Sequence, residues 1–216
     1  MKRDGMSSRH IAAYSVGHFS NDLCATMWFV YLSWYLNKIV KLDKELTGLC
    51  MLSGQLADGI TTPIVGFLSD KLGTPCGKRY PWFVAGTMMV IPCFMGIFTY
   101  PPFINDDDPK DNKKIKIWYL TLPALFNVGW ASVQISHMAI VNVLSSSNRR
   151  RDRMVNNRNG FTYAANTSIL TIALIVFAVM DDPINEFRVM TFTALGLGLC
   201  TSLFYICTIR EVSLMK

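Results

Sequence analysis

Two aspartates occur in the middle of long apolar stretches of the sequence. Asp22 lies near the centre of the stretch 10–36, and Asp58 lies near the centre of the stretch 46–68. At about 1.5 Å of rise per residue, helices over these stretches would place both carboxylates roughly 15–18 Å below the membrane surface. A charged group at that depth costs about 2.5–3.5 kcal/mol and usually faces a hydrated cavity with a partner. The two aspartates therefore predict a pathway for an ion or a polar solute.

Other polar residues repeat at helical spacing beside these aspartates. His18 precedes Asp22 by one turn and Thr62 follows Asp58 by one turn, so each helix would present one polar stripe. Two interpretations stay open: the stripes line a pathway, or they hold helices together through hydrogen bonds worth about 0.6–2 kcal/mol each. His18 would accordingly relay a proton or serve only as the hydrogen-bonded partner of Asp22. The candidate residues for binding a solute or a proton are Asp22, Asp58, His18, Asn21, Gln55, Thr62, Gln134, His137 and Arg158.

The elements that would position these residues are transmembrane helices. Of the 216 residues, 51% are hydrophobic and 17% are charged, which is typical of a membrane protein rather than a soluble domain. Stretches of about 20 apolar residues, the length that crosses a bilayer, occur at 10–36, 46–68, 82–104, 117–144, 161–179 and 187–209. We therefore expect an all-α membrane protein in which a cytoplasmic tail (1–9) precedes a bundle of six transmembrane helices (10–209). Residues 210–216 would form a second cytoplasmic tail or the start of a truncated central loop.

The net charge of +6 is explained by membrane topology. Lys and Arg concentrate at the amino terminus and in the second and fourth connections, including the run 149–153, whereas acids concentrate in the third connection. Positive residues favour the cytoplasmic side, so both termini are predicted to be cytoplasmic. The basic run is expected to meet anionic lipid rather than nucleic acid.

The sequence contains nothing that suggests catalysis. Its six cysteines form no C-x-x-C motif, and neither a nucleophile paired with a base nor a set of metal ligands is visible. We therefore expect no enzymatic activity, no catalytic residue, no metal site and no cofactor. The expected partners are the lipid bilayer and a small-molecule solute.

A loop between the second and third predicted helices carries charges that could act as a gate. Asp70 would lie at a helix C-terminus, where the helix dipole disfavours an acid, and a nearby cation would stabilise it. Lys71, Lys78 and Arg79 supply such cations. These four residues are predicted to form a cytoplasmic gate, with an ordinary surface ion pair as the alternative. The loop 66–79 resembles the signature loop of the major facilitator superfamily.

Further motifs extend the resemblance to one branch of that superfamily, the glycoside-pentoside-hexuronide:cation symporters. They are Tyr-Ser-Val-Gly-His-Phe at 14–19, Asn-Asp-Leu-Cys-Ala at 21–25, Ala-Asp-Gly at 57–59, Gly-Lys-Arg at 77–79, Gly-Trp-Ala-Ser at 129–132 and Gln-Ile-Ser-His at 134–137. The resemblance implies the amino-terminal half of a major facilitator fold. It also implies that Asp22 contacts substrate, that Asp58 belongs to a cation site, and that Arg158 lies near the sugar site.

Two departures from that branch bear on the coupling ion. Thr62 and Gln134 stand where the bacterial symporters have acids. Fewer anionic ligands argue against sodium, so we expect proton coupling or simple facilitation. Within the branch the sequence is similar to an animal group associated with cysteine import into lysosomes and melanosomes.

The resemblance thus implies a secondary active transporter, or half of one, for a small polar solute such as cysteine. The expected site is a lysosomal or related organelle membrane, with the plasma membrane as the alternative. A sugar:cation symporter and a truncated, non-transporting interaction protein are the alternative functions. A complete transporter of this superfamily has two six-helix halves with the site between them. We therefore expect a fragment, a truncated product, or a subunit that associates with a second six-helix half.

Overall fold

The computed structural model describes residues 7–101, 113–209 and 211, and this part of the chain is helical without any named strand. The last residues of the third predicted span and the tail from 212 onward lie outside the described residues, as do residues 1–6 and 210. The helices are α1 (Ser8–Val16), α2 (Phe19–Lys38), α3 (Lys44–Lys71), α4 (Tyr80–Phe98), α5 (Lys113–Leu144), α6 (Asn148–Val179) and α7 (Pro183–Thr208).

The first predicted span is not one continuous helix, because it is interrupted between α1 and α2. Gly17 and His18 form a turn there, and the Gly17 amide bonds to the Tyr14 carbonyl at 3.2 Å. A side-chain carbon on Gly17 would lie 2.4 Å from the ring of Tyr205 and 3.0 Å from His137. The absence of a side chain therefore lets α5 and α7 approach the junction closely, and His18 becomes the first residue before α2.

Four of the described helices, α4 to α7, are long and apolar enough to cross a membrane. The predicted count of six transmembrane helices is not confirmed. The two remaining long helices, α2 and α3, have sufficient length. They carry Asp22 and Asp58 with their polar neighbours, and these polar side chains lower the hydropathy of both helices.

The helices pack in two groups that meet along α2 and where α4 contacts α7. Helix α5 lies against α3 and α4, whereas α1 and α2 lie against α6 and α7. Between the groups, the ring of Trp28 on α2 stacks on that of Phe126 on α5 with centroids 5.2 Å apart. Both side chains are buried, so the bundle is held together by apolar and aromatic contacts through its middle.

Candidate functional site

A buried polar cluster lies where the α1–α2 junction meets α6. Nδ1 of His18 is 2.9 Å from Oδ1 of Asp22, and the hydroxyl of Thr162 donates to Oδ2 of the same carboxylate at 2.8 Å. Nη2 of Arg158 lies 3.2 Å from Nδ1 of His18. His18 and Asp22 are only 2% and 7% exposed, so this carboxylate is satisfied by protein groups rather than by solvent.

One nitrogen of His18 has two competing partners. Nδ1 can donate to Asp22 when it carries hydrogen, and it can accept from Arg158 when it does not. It cannot do both at once, because an imidazole nitrogen is a donor or an acceptor at any moment. Among the described residues, the only ion pairs are those of His18 with Asp22 and of Arg79 with Asp70. Arg158 is therefore linked to Asp22 through the histidine.

Asn21 lies on the other side of the same imidazole. Its Nδ2 is 3.3 Å from Nε2 of His18. The residue is 2% exposed, and its Oδ1 has no hydrogen-bond partner within the described part of the chain. Rotation of the amide would let that oxygen accept a hydrogen from Nε2. Asn21 can thus match either tautomer of His18.

His137 on α5 packs against Tyr14 and His18 at the edge of the cluster. The residue is fully buried, its Nε2 lies 2.9 Å from the Tyr14 carbonyl, and its ring stacks on that of Tyr14 at 4.4 Å. The His137 ring is also 5.4 Å from that of His18. Because Nε2 donates to the carbonyl, Nδ1 keeps a lone pair, and this atom has no partner among the described residues. A second imidazole ring therefore lies next to that of His18.

Helix α6 supplies two polar groups that were not among the residues predicted to bind a solute or a proton. Thr162 bonds to Asp22, and Asn166 accepts from the hydroxyl of Thr26 at 2.7 Å. Together with Arg158 they recur every four residues along one face. Because this spacing places the three residues on one helical face, their grouping could be predicted from the sequence. Gln134 is half-buried on α5, and its Oε1 has no partner in the described part of the chain.

Asp58 lies apart from this cluster. It is partly buried on α3, and the hydroxyl of Thr62 donates to its Oδ1 at 3.3 Å. Gln55 is exposed on the same helix. Within the described residues no hydrogen bond or ion pair joins Asp58 or Gln55 to His18 and Asp22. The structure thus brings together His18, Asn21, Asp22, His137 and Arg158, but not the two aspartates.

The charged loop between α3 and α4 is held by an ion pair and a helix cap. Nη2 of Arg79 lies 2.5 Å from Oδ1 of Asp70, and Nζ of Lys78 donates to the Asp70 carbonyl at 3.0 Å. Lys71 instead lies 4.1 Å above the ring of Phe67. Three of the four predicted gate residues therefore contact one another, whereas Lys71 makes a cation–π contact on its own helix.

Glu211 holds this loop from beyond α7. Its carboxylate accepts from the backbone amides of Arg79 at 2.7 Å and of Tyr80 at 3.0 Å, and the residue is 1% exposed. Gly77 has φ +114°, and a side chain there would collide with this carboxylate. An anion at a helix N-terminus is favoured by the helix dipole. Nothing in the sequence around Glu211 indicated that it would cap α4.

Comparison with known proteins gives one family. The profile of a family described as "MFS/sugar transport protein" matches residues 13–214. Major facilitator superfamily domain-containing protein 12 is 31% identical in horse, over 92% of this chain and 45% of that protein. The mouse form is 33% identical over 81% of this chain and 36% of that protein. An uncharacterized symporter from Synechocystis is 26% identical over 81% of this chain and 32% of its own length. The chain thus spans about half, or less, of the curated relatives it matches.

Proposed function

Because the chain belongs to the MFS/sugar transport protein family, we propose that it forms one half of a secondary transporter for a small polar solute. The observation that carries this proposal is the buried cluster of Asp22, His18 and Arg158, which places an acid, an imidazole and a guanidinium within hydrogen-bond reach. Buried ionisable groups in a membrane bundle are expensive and generally mark a substrate or proton pathway. The similarity to a protein named as a symporter supports coupled transport.

The proposed solute is an amino acid, and cysteine in particular. An amino acid carries one carboxylate and one ammonium group. Arg158 can bind the carboxylate through its guanidinium, and Asp22 can accept from the ammonium. The partnerless oxygen of Asn21 offers a further acceptor for the same ammonium group. A sugar could form hydrogen bonds with both groups through its hydroxyls, but it would not neutralise their charges.

The proposed coupling ion is a proton, and His18 is its proposed carrier. When Nδ1 bears hydrogen, His18 pairs with Asp22 and Arg158 is released to bind the solute carboxylate. When Nδ1 lacks hydrogen, it accepts a hydrogen bond from Arg158, and the guanidinium is then not free to bind the solute carboxylate. Proton binding and solute binding would therefore favour each other.

The proposed transport cycle is a rocking motion in which the α3–α4 loop locks one state. The Asp70–Arg79 ion pair and the Glu211 cap hold that loop against the end of α7. Breaking them would free the cytoplasmic ends of α3 and α4 to move. In this proposal six segments cross the membrane, with α1 and α2 forming the first, and both termini face the cytoplasm. The membrane is that of a lysosome or a related organelle.

The test is uptake of labelled cysteine into vesicles that contain the protein. Arg158→Gln should abolish uptake, because it removes the only cation of the described cluster. Arg153→Gln is the matched control, since Arg153 is an exposed residue on the same helix. Unchanged uptake in Arg158→Gln would remove the basis of the proposal.

A further inference from the structure

A cleft opens where α2 ends and α3 begins, away from the buried cluster. Its volume is about 990 Å³, and its wall includes Lys38, Lys41 and Lys44. Lys38 is the last residue of α2 and Lys44 is the first of α3, with Lys41 in the connection between them. Three ammonium groups therefore border one opening at one end of the bundle.

These positive charges are not neutralised within the described residues. None of the three lysines takes part in an ion pair there. Asp43 is the one acid in the cleft wall, and its carboxylate already accepts the Leu46 amide at 2.7 Å as the N-cap of α3. The N-terminus of α3 adds the positive end of a 28-residue helix. An anion in the cleft would be stabilised by both sources.

A buried hydroxyl in the cleft wall also lacks a partner. Thr47 is 3% exposed, it lines the cleft, and its Oγ1 has no hydrogen-bond partner in the described part of the chain. Buried polar atoms are normally satisfied, and one that is not calls for an explanation. A bound oxyanion would supply the missing acceptor.

The cleft has an apolar continuation along the membrane-facing surface. Val30 and Trp34 line both the cleft and a neighbouring, largely apolar groove of about 380 Å³ that is also lined by Tyr31, Phe177 and one acid, Glu186. Val30, Trp34 and Phe177 are 52%, 45% and 40% exposed. Cations at one end and an apolar groove at the other match an amphiphile with an anionic head and a hydrocarbon chain. Free phosphate would use only the first half of this surface.

We propose that this cleft binds an anionic phospholipid, with the phosphate between the three lysines and an acyl chain along Val30, Trp34 and Phe177. The site is independent of the solute cluster, so it stands even if the chain transports nothing. Interfacial lysines attract anionic lipid headgroups, and an aromatic residue beside them is typical of the membrane interface.

The experiment measures which lipid stays bound to the purified protein, by native mass spectrometry in detergent. Equal amounts of phosphatidylglycerol and phosphatidylcholine with identical acyl chains are added. Wild-type protein should retain phosphatidylglycerol preferentially. Lys38→Gln combined with Lys44→Gln should reduce that preference by roughly fivefold per lysine. Thr47→Val should reduce it by a smaller factor, because it removes one neutral hydrogen bond.

A matched control removes two cations elsewhere at the same predicted end of the bundle. Lys113→Gln combined with Lys116→Gln makes the same change in net charge at the start of α5 and should leave the preference unchanged. Thermal unfolding of all variants establishes that the fold is retained. Equal loss of phosphatidylglycerol in the two double variants would overturn the proposal. Glycerol phosphate that displaces the lipid at equal concentration would also overturn it, because the site would then bind the free anion.

Discussion

Replacing His18 by glutamine should remove the pH dependence of solute binding while it preserves the fold. A glutamine amide can still donate to Asp22, which also keeps the hydrogen bond from Thr162 at 2.8 Å. The change therefore exchanges one hydrogen bond for another, and the stability cost should be about 1 kcal/mol. What is lost is the ability of this position to take up a proton.

The magnitude of the effect follows from the shared Nδ1 atom. A solute that binds together with one proton gains up to about tenfold in affinity for each unit by which the pH falls, while the proton site is empty. In the proposed cycle, a proton bound at Nδ1 would direct His18 to Asp22, which lies at 2.9 Å, and would release Arg158, which lies at 3.2 Å. Wild-type affinity should thus rise as the pH falls, and the His18→Gln affinity should be constant.

The assay is cysteine binding to the protein in nanodiscs at several pH values from about 5 to 8. His10→Gln is the control, because His10 lies in α1 beside Ser7 on the exposed surface. The chain has three histidines, so ¹⁵N-histidine spectra of these variants assign every ring and report the tautomer of His18 without any solute. An unchanged pH dependence in His18→Gln would refute the proposed role of this residue. Hydrogen that stays on Nδ1 of His18 at every pH would do the same.

Three further variants test other contacts. Thr162→Val removes a hydrogen-bond donor to the buried Asp22 carboxylate and should weaken cysteine binding roughly fivefold. Thr167→Val should leave binding unchanged, because Thr167 is exposed. Binding titrations in nanodiscs measure both. Gly17→Ala places a carbon 2.4 Å from the ring of Tyr205 on α7, and it should lower the free energy of unfolding by about 1–3 kcal/mol. Thermal unfolding measures this loss. It should show no such loss for Gly48→Ala, because a side-chain carbon there meets no atom within 4 Å. Glu211→Gln should weaken the cap on α4 by about 1 kcal/mol, and limited proteolysis of the α3–α4 loop should become faster.

The sequence predicted where the long apolar helices lie, because apolar length is a local property. It was wrong about the start of α6, which begins at Asn148 rather than at 161, so the basic run 149–153 is helical rather than part of a connection. It did not predict the break at Gly17, since the stretch 10–36 is apolar on both sides of that residue. The break depends on Tyr205 and His137, which are distant in sequence. Only tertiary packing could reveal it.

The candidate site was partly predictable from the sequence, because one of its contacts is local. Asp22 and His18 are one turn apart, so their contact follows from helical spacing alone. Their link to Arg158 depends on how α2 packs against α6, and Asp58 was grouped with Asp22 only because both lie at a similar depth. The role of Glu211 could not be predicted from local sequence, because its partners are the amides of Arg79 and Tyr80, more than 130 residues earlier.

The two kinds of contact made by Asp22 have a consequence for biosynthesis. Its bond to His18 spans four residues, whereas its bond to Thr162 spans 140. At about 5–20 residues per second, the ribosome needs roughly 7–28 s to add that intervening chain. During this interval the acid of α2 has only its local histidine as a partner. The His18–Asp22 hydrogen bond can therefore supply the carboxylate with a local partner during insertion, before α6 arrives to complete the cluster.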